Sequence, residues 1–236
     1  MALGLMRASL NPVLFNHYPL YWSHTLRILK PKSTSLIEMA SIAFPEYSNV
    51  VTLRSGVTYN YTHIPAKDSM STILFIHGFP SSSYDWRHQI RYFSSLGYGV
   101  IAPDLLGYGE TDKPTSADDY RGKKMASELS ELLNHAKVSK VHGVAHDWGS
   151  FLLSRMTTYH RERLLSSAFL ATPYRAPGQI IDVDSVNAMT KKDLGFELLG
   201  YWKFFKKEDA GEIVKEHVSL FSRSGFLIGY TVLTGS

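Results

Sequence analysis

A single carboxylate stands where a predicted strand turns into a predicted helix. Residues 139–144 predict a strand, residues 148–159 carry an apolar helical pattern, and Asp147 lies between them. The small residues Ala145 and Gly149 flank Asp147 two positions away on either side, a spacing typical of a strained turn that raises one side chain above a sheet edge. A carboxylate held there can attack a strained or activated alkyl carbon and form an alkyl ester, whereas a serine would be acylated. The plainer interpretation is that Asp147 only N-caps the helix.

A second motif lies upstream, after the apolar segment 71–76, which predicts a buried strand. It reads His77-Gly78-Phe79-Pro80. Such a loop can aim the backbone N–H of Phe79 at a developing oxyanion, and the N–H of Trp148 would be the second donor. His77, Gly78 and Pro80 would support that loop. A tight turn without chemistry is the alternative, but two motifs in this order favour a nucleophile paired with an oxyanion hole.

A third segment, residues 97–104, predicts a strand that runs into a glycine-containing loop over 105–114. Gly107-Tyr108-Gly109 lacks a third glycine at the spacing of a dinucleotide site, and no Gly-Lys-Ser/Thr triplet follows. The loop is therefore predicted to be a tight surface loop and not a phosphate site.

The coarse pattern along the chain is that of an α/β protein. Strands are predicted near 48–53, 57–63, 72–76, 98–102, 139–144 and 166–171, and helices near 83–95, 117–136 and 148–160. Alternation of this kind predicts a mostly parallel sheet with flanking helices.

Composition excludes several classes of chemistry. The 236 residues include no cysteine, which removes disulfides, thiol nucleophiles and Cys-ligated metals. The net charge of +4 is dispersed in short runs, which are more typical of solvated faces than of a nucleic-acid site. No run of eighteen apolar residues indicates a membrane span. No cofactor and no metal are expected, and the sequence leaves the oligomeric state open.

Taken together, these motifs resemble the epoxide hydrolases of the α/β-hydrolase superfamily. The matching residues are 77–80, 84–87, 104–114 and 146–149, within a resemblance that extends from about residue 42 to 221. It implies an α/β-hydrolase fold and a small-molecule epoxide as substrate. It also implies that Asp147 attacks an epoxide carbon and that a cap tyrosine hydrogen-bonds the epoxide oxygen. Tyr201, in Gly-Tyr-Trp-Lys-Phe-Phe, is the candidate, although an aromatic residue that merely packs the cap is the alternative.

The resemblance divides the chain into four parts. They are an N-terminal extension (1–41), the N-terminal part of the hydrolase core (42–172), a partial helical cap (173–221) and a divergent tail (222–236). It places the catalytic histidine and its acid further along a full-length chain, so this one is expected to be C-terminally truncated and impaired in turnover. Neither His160 nor His217 matches that histidine, and Tyr230 is not assigned as a second cap tyrosine.

The N-terminus affects the expected location of the protein. Residues 1–37 contain basic residues and serines but no Asp or Glu, which is typical of a mitochondrial transit peptide. The alternative, slightly favoured, is an upstream extension with Met39 as the effective start. A cytoplasmic location is then expected.

Two further functions remain open. A haloalkane dehalogenase shares the Asp-Trp-Gly elbow, and there the Trp148 indole N–H would bind the leaving halide. Dehalogenases commonly carry Asn where this chain has Phe79, and both that residue and Tyr201 favour an epoxide. The other alternative is a non-catalytic truncated product.

Overall fold

The computed structural model describes residues 40–217, and a six-stranded β-sheet runs through their centre. The strands are β1 (Ser48–Thr52), β2 (Thr58–Ile64), β3 (Thr72–Ile76), β4 (Gly99–Pro103), β5 (Val141–His146) and β6 (Leu164–Leu170). Their order across the sheet is β1-β2-β4-β3-β5-β6. β2 is antiparallel to both β1 and β4, whereas β4, β3, β5 and β6 are parallel neighbours. The predicted mostly parallel α/β sheet is therefore confirmed.

Strand β3 shows why the sheet has a core on each face. All five of its residues are buried, as the continuous apolar run of a parallel strand requires. Because successive side chains point to opposite faces, Ile73 and Phe75 join one hydrophobic cluster while Leu74 and Ile76 join the other. Hydrophobic packing on both faces of the sheet thus fixes the end of β3, from which the His77-Gly78-Phe79-Pro80 loop starts.

Helices cover both faces of the sheet. Those on the Ile73 face are α1 (Ala40–Ala43) and α2 (Arg87–Ser95), and those on the Leu74 face are α3 (Gly122–His135) and α4 (Trp148–Tyr159). Two of the helices predicted from the sequence begin as 3-10 turns, over Ser83–Trp86 and Ala117–Tyr120. Ser82 and Ser116 cap these turns by accepting a backbone N–H, which explains where each one starts.

Strand β5 ends two residues later than the sequence predicted. Ala145 and His146 extend its ladder by pairing with Phe169 and Leu170 of β6, whereas the predicted first residues, 139–140, lie outside it. The turn at Asp147 is therefore tighter than expected, because it follows the strand with no intervening residue.

Three helices follow Pro173 in the part of the chain that the structure describes. They are α5 (Val183–Leu194), α6 (Gly200–Phe205) and α7 (Ala210–Glu216). The predicted domain limits stay predictions. The predicted transit peptide and residues 222–236, with Tyr230, lie outside the described residues. Between residues 40 and 217, no helix is long and apolar enough to cross a membrane.

Strand β6 forms one edge of the sheet within residues 40–217. It pairs with β5 on one side, and its other side has no partner strand in this range. Leu165 and Leu170 on β6 are 49% and 43% exposed. Unpaired backbone groups beside exposed leucines can pair with another chain.

We expect a polypeptide of the printed 236 residues to self-associate through β6. Size-exclusion chromatography with light scattering should detect dimers or larger species, and Leu165→Lys should reduce them because a charge on an edge strand opposes pairing. Met189→Lys is the matched control, since Met189 is 47% exposed but lies on helix α5. A monomer with a sharp cooperative melt would contradict the prediction.

Candidate active site

Asp147 occupies the sharp turn between the end of β5 and the start of α4. Its backbone, at φ 53° and ψ −121°, is in a region that residues with side chains rarely adopt and that costs about 1–3 kcal/mol. Hydrogen bonds hold the turn on both sides, since Asp147 N–H donates to Leu170 O at 3.2 Å and Ser150 N–H donates to Asp147 O at 2.9 Å. The Asp147 side chain makes no capping hydrogen bond to α4, so the N-cap interpretation is wrong. The turn instead presents the carboxylate at the ends of the parallel strands.

The loop after β3 supplies a backbone donor to this carboxylate. Phe79 N–H donates to Asp147 Oδ1 at 2.9 Å. A Cβ added to Gly78 would lie 2.6 Å from Asp147 Cβ, so only glycine allows the loop to come this close. Pro80 follows Phe79 through a cis peptide bond. Trp148, the other predicted donor, is the first residue of α4, at the positive end of the helix dipole.

His77 supports this loop and is not placed to act as a base. Leu105 N–H donates to His77 Nε2 at 2.9 Å, so the ring proton of the neutral imidazole is on Nδ1, which lies 3.0 Å from Gly78 O. Burial lowers the pKa of His77, although nearby Asp104 acts in the opposite direction. Both ring nitrogens are thus engaged in tying the loop to the segment after β4.

The segment after β4 is a tight turn, as predicted; its first residues are buried, whereas Glu110, Asp112 and Lys113 are exposed. Gly107 and Gly109 have φ of 93° and 51°, which confirms the turn, whereas Asp104 is only 1% exposed. Asp104 Oδ1 accepts both the N–H and the O–H of Ser83, at 3.1 Å and 2.6 Å. This buried carboxylate, just before the loop, anchors the far end of the Phe79 loop.

Tyr108, in the same turn, lies close to the nucleophile candidate and was missed as a site residue. Its ring packs edge-on against His77, with centroids 4.9 Å apart. Burial raises the pKa of Tyr108 well above its ordinary value, and the charge of Asp147 is the next cause. Its position between two turn glycines was the only signal in the sequence.

Helix α6 brings the cap candidate onto the same loop. The ring of Tyr201 stacks on that of Phe79 with centroids 5.7 Å apart and planes at 13°. Next to it, the ring of Trp202 lies 5.0 Å from that of Trp148. Burial is the main cause that raises the pKa of Tyr201; hydrogen bonding from the Trp148 indole lowers it, and the Asp147 charge raises it. Tyr201 is therefore a neutral O–H donor at neutral pH.

The two histidines that follow the elbow lie away from Asp147. His160 ends α4, about 18 Å along the helix from its first turn at about 1.5 Å per residue. There His160 Nε2 is 3.0 Å from Ser127 Oγ and Nδ1 is 3.7 Å from Glu162. His217 is exposed at the end of α7. Within residues 40–217, no cluster of His, Cys, Asp and Glu could hold a metal ion.

A small apolar pocket of about 40 Å³ lies beside the Asp147 turn. Its lining residues come from both predicted donor segments, the turn after β4 and helices α3 and α4: Gly78, Leu105, Leu106, Tyr108, Tyr120, Met125, Trp148, Phe151 and Leu152. Apolar groups near the carboxylate can accommodate an uncharged organic substituent.

The fold agrees with a comparison against protein families. The model of the alpha/beta hydrolase fold matches residues 71–223, which is more than half of the chain. The chain belongs to the alpha/beta hydrolase fold family. Within this family, its similarities are to epoxide hydrolases, and the predicted resemblance to them is confirmed.

Individual relatives give the extent of the similarity. Epoxide hydrolase 2 of Siraitia grosvenorii is 35% identical over 135 residues, which are 57% of this chain and 43% of that protein. Epoxide hydrolase A of Mycobacterium tuberculosis is 32% identical over 108 residues, 46% of this chain and 34% of that protein. The structure of an epoxide hydrolase from Vigna radiata is 31% identical, with a TM-score of 0.54 over 62% of this chain and 46% of its own. The structure of epoxide hydrolase A from Mycobacterium thermoresistibile is 26% identical, with a TM-score of 0.55 over 65% of this chain and 48% of its own. The chain thus spans less than half the length of these relatives.

Proposed function

We propose that this α/β-hydrolase opens epoxides by forming an alkyl ester on Asp147. The observation that carries the proposal is the hydrogen bond from Phe79 N–H to Asp147 Oδ1, made by the residue whose ring stacks on that of Tyr201. Because Oδ1 accepts this bond, Oδ2 is left as the attacking oxygen. Oδ1 then becomes the ester carbonyl oxygen and already has a backbone donor. Phe79 and Trp148 are proposed as the oxyanion donors, and His77, Gly78 and Pro80 as the loop that places them.

In the proposed step, Asp147 Oδ2 forms a bond to one epoxide carbon while the bond from that carbon to the ring oxygen breaks. The electron pair of the broken bond stays on the oxygen, which takes the phenol proton of Tyr201 and becomes a hydroxyl group. The tyrosinate regains a proton from solvent. The raised pKa of Tyr201 keeps the donor protonated before each reaction.

The dehalogenase alternative is disfavoured by the surroundings of Trp148. A halide would need the indole N–H of Trp148, but this indole packs against Trp202 and its hydrogen bonding lowers the pKa of Tyr201. Phe79, whose ring stacks on Tyr201, offers no side-chain donor for a halide. These contacts direct the Trp148 indole toward the tyrosine.

Intact-mass spectrometry separates the candidate functions. The purified chain is incubated with styrene oxide or with 1-chlorobutane, and the adduct is located by tandem mass spectrometry. An epoxide adds its whole mass because nothing leaves, whereas a haloalkane adds only its alkyl group and releases halide. We expect the epoxide adduct at Asp147. An alkyl adduct from the chloride alone would support a dehalogenase, and no adduct from either would support a non-catalytic product.

Tyr201→Phe should slow ester formation by about 10²-fold, because the leaving oxygen loses its proton donor while the ring stack on Phe79 is kept. The measurement is the rate of adduct growth under excess styrene oxide. Since the pKa of Tyr201 is raised above 10.0, its contribution should be constant across the neutral range and decline only in stronger alkali.

Tyr92→Phe is the matched control, since Tyr92 is 61% exposed on α2 and should leave the rate unchanged. If Tyr201→Phe forms the adduct as fast as the wild type, Tyr201 is a packing residue of the cap and not the proton donor.

A further inference from the structure

Two buried polar side chains of α5 bind the backbone just before α6. Leu199 N–H donates to Asn187 Oδ1 at 2.7 Å, and Leu198 N–H donates to Thr190 Oγ1 at 3.1 Å. Asn187 and Thr190 are only 1% and 5% exposed. Removing one partner of a buried hydrogen bond leaves the other unsatisfied, so both contacts strongly specify this backbone.

These bonds fix the backbone from which α6 starts. Leu199 is the N-cap residue of α6, and its side chain makes no capping hydrogen bond. The connection from α5 is short, because Gly195 ends that helix in the left-handed conformation, at φ 84°, and Leu199 follows four residues later. Asn187 therefore holds the N-cap residue of α6 in place by accepting its backbone N–H.

Helix α6 depends on such outside contacts. It has six residues, well below the length at which an isolated helix is stable in water. The other polar link between the two helices is the ion pair of Lys203 with Asp184, whose side chains are 49% and 84% exposed. Exposed ion pairs add little to stability, so the buried Asn187 and Thr190 contacts dominate the polar part of this junction.

We propose that Asn187, assisted by Thr190, is a positioning residue for Tyr201. Tyr201 is only two residues beyond the anchored Leu199 N–H, and the next residue, Trp202, carries the contact with Trp148. The start of α6 therefore sets where Tyr201 lies on the Phe79 ring, beside the Asp147 turn. That Tyr201 donates to an epoxide rests on the proposed function, but the placement of α6 by α5 does not.

The test uses variants that change one acceptor at a time. Asn187→Leu keeps the size of the side chain and removes the oxygen that binds Leu199 N–H. Thr190→Val removes the oxygen that binds Leu198 N–H, and Thr190→Ser restores it. Lys203→Met is the matched control, because it breaks the exposed contact between the same two helices.

The first readout does not depend on activity. The neighbouring indoles of Trp148 and Trp202 give an exciton couplet in circular dichroism, obtained as the difference between the wild type and Trp202→Phe. We expect the couplet to collapse in Asn187→Leu, to weaken in Thr190→Val, and to persist in Thr190→Ser and Lys203→Met. The second readout is adduct growth at Asp147, which should fall at least about tenfold in Asn187→Leu, since small misplacements of a reacting group are costly.

Each outcome decides between a positioning role and plain packing. A full couplet and an unchanged adduct rate in Asn187→Leu would overturn the inference. If Asn187→Leu does not fold, the two Thr190 variants decide. The exciton couplet and the adduct rate must weaken in Thr190→Val and persist in Thr190→Ser. Equal behaviour of these two variants would overturn the inference. If the wild type forms no adduct, the proposed function fails, whereas the couplet still tests the placement of α6.

Discussion

Asp147→Asn should abolish the covalent adduct with styrene oxide. The substitution keeps the shape of the side chain and an oxygen that can accept from Phe79 N–H, but it removes the negative charge that attacks carbon. Loss of the covalent nucleophile lowers the rate of a well-studied serine protease by about 10⁶-fold, so no adduct should form on the timescale of wild-type labelling. The measurement is intact mass against time, with peptide mapping of the modified residue.

The matched control is Asp193→Asn, because Asp193 is exposed on α5. It removes the same charge and should leave the adduct unchanged, while near-ultraviolet circular dichroism verifies that both variants are folded. An adduct that grows at the wild-type rate in Asp147→Asn would place the nucleophile elsewhere.

The elbow was predictable because its requirements are local. A strand, a single unusual backbone conformation and a helix follow one another, and each leaves a mark in composition or spacing. Close packing explains the glycine of that spacing: a Cβ on Gly149 would lie 2.4 Å from the carbonyl oxygen of Ile76. The alternation of strands and helices is also a local pattern, so the mostly parallel α/β sheet was predictable as well.

The supports of the site were not predictable, because they join residues far apart in the chain. The ring of His77 is fixed by the N–H of Leu105, twenty-eight residues later, and Asp104 binds Ser83 from twenty-one residues away. No period or spacing marks such bonds, and a polar residue after a strand equally fits a solvated loop.

The orientation of the cap could not be predicted from local sequence patterns either. Four aromatic residues within Tyr201–Phe205 predict packing of some kind, but not which ring meets which loop. The stack of Tyr201 on Phe79 depends on where α6 starts, which two side chains of α5 decide. Only the resemblance to epoxide hydrolases singled out Tyr201 among these aromatic residues.

A polypeptide of the printed 236 residues should consume about one epoxide per Asp147 and then stop. Opening the ring needs only the carboxylate and a proton donor such as Tyr201, whereas hydrolysis of the ester needs water activated by a general base. Such a base contributes typically ~10²–10⁴-fold, so without one the ester should persist.

His77, His160 and His217 are not placed for this role. His77 is buried, is neutral at ordinary pH, and has both ring nitrogens engaged with backbone groups. His160 contacts Ser127 at the far end of α4, and His217 is exposed at the end of α7. The oxyanion donors can stabilise the charge that develops during hydrolysis, but they accept no proton.

Two measurements on the same sample check this prediction. Epoxide loss should show a burst equal to the concentration of Asp147 and then a rate near that without protein, while intact mass shows a single stable adduct. Hydroxylamine, a strong nucleophile, should cleave the ester and restore a second burst of the same size, which shows that the site is blocked and not denatured. Sustained diol production over many turnovers would contradict the prediction, because a base would then have to come from His160, His217 or a second chain.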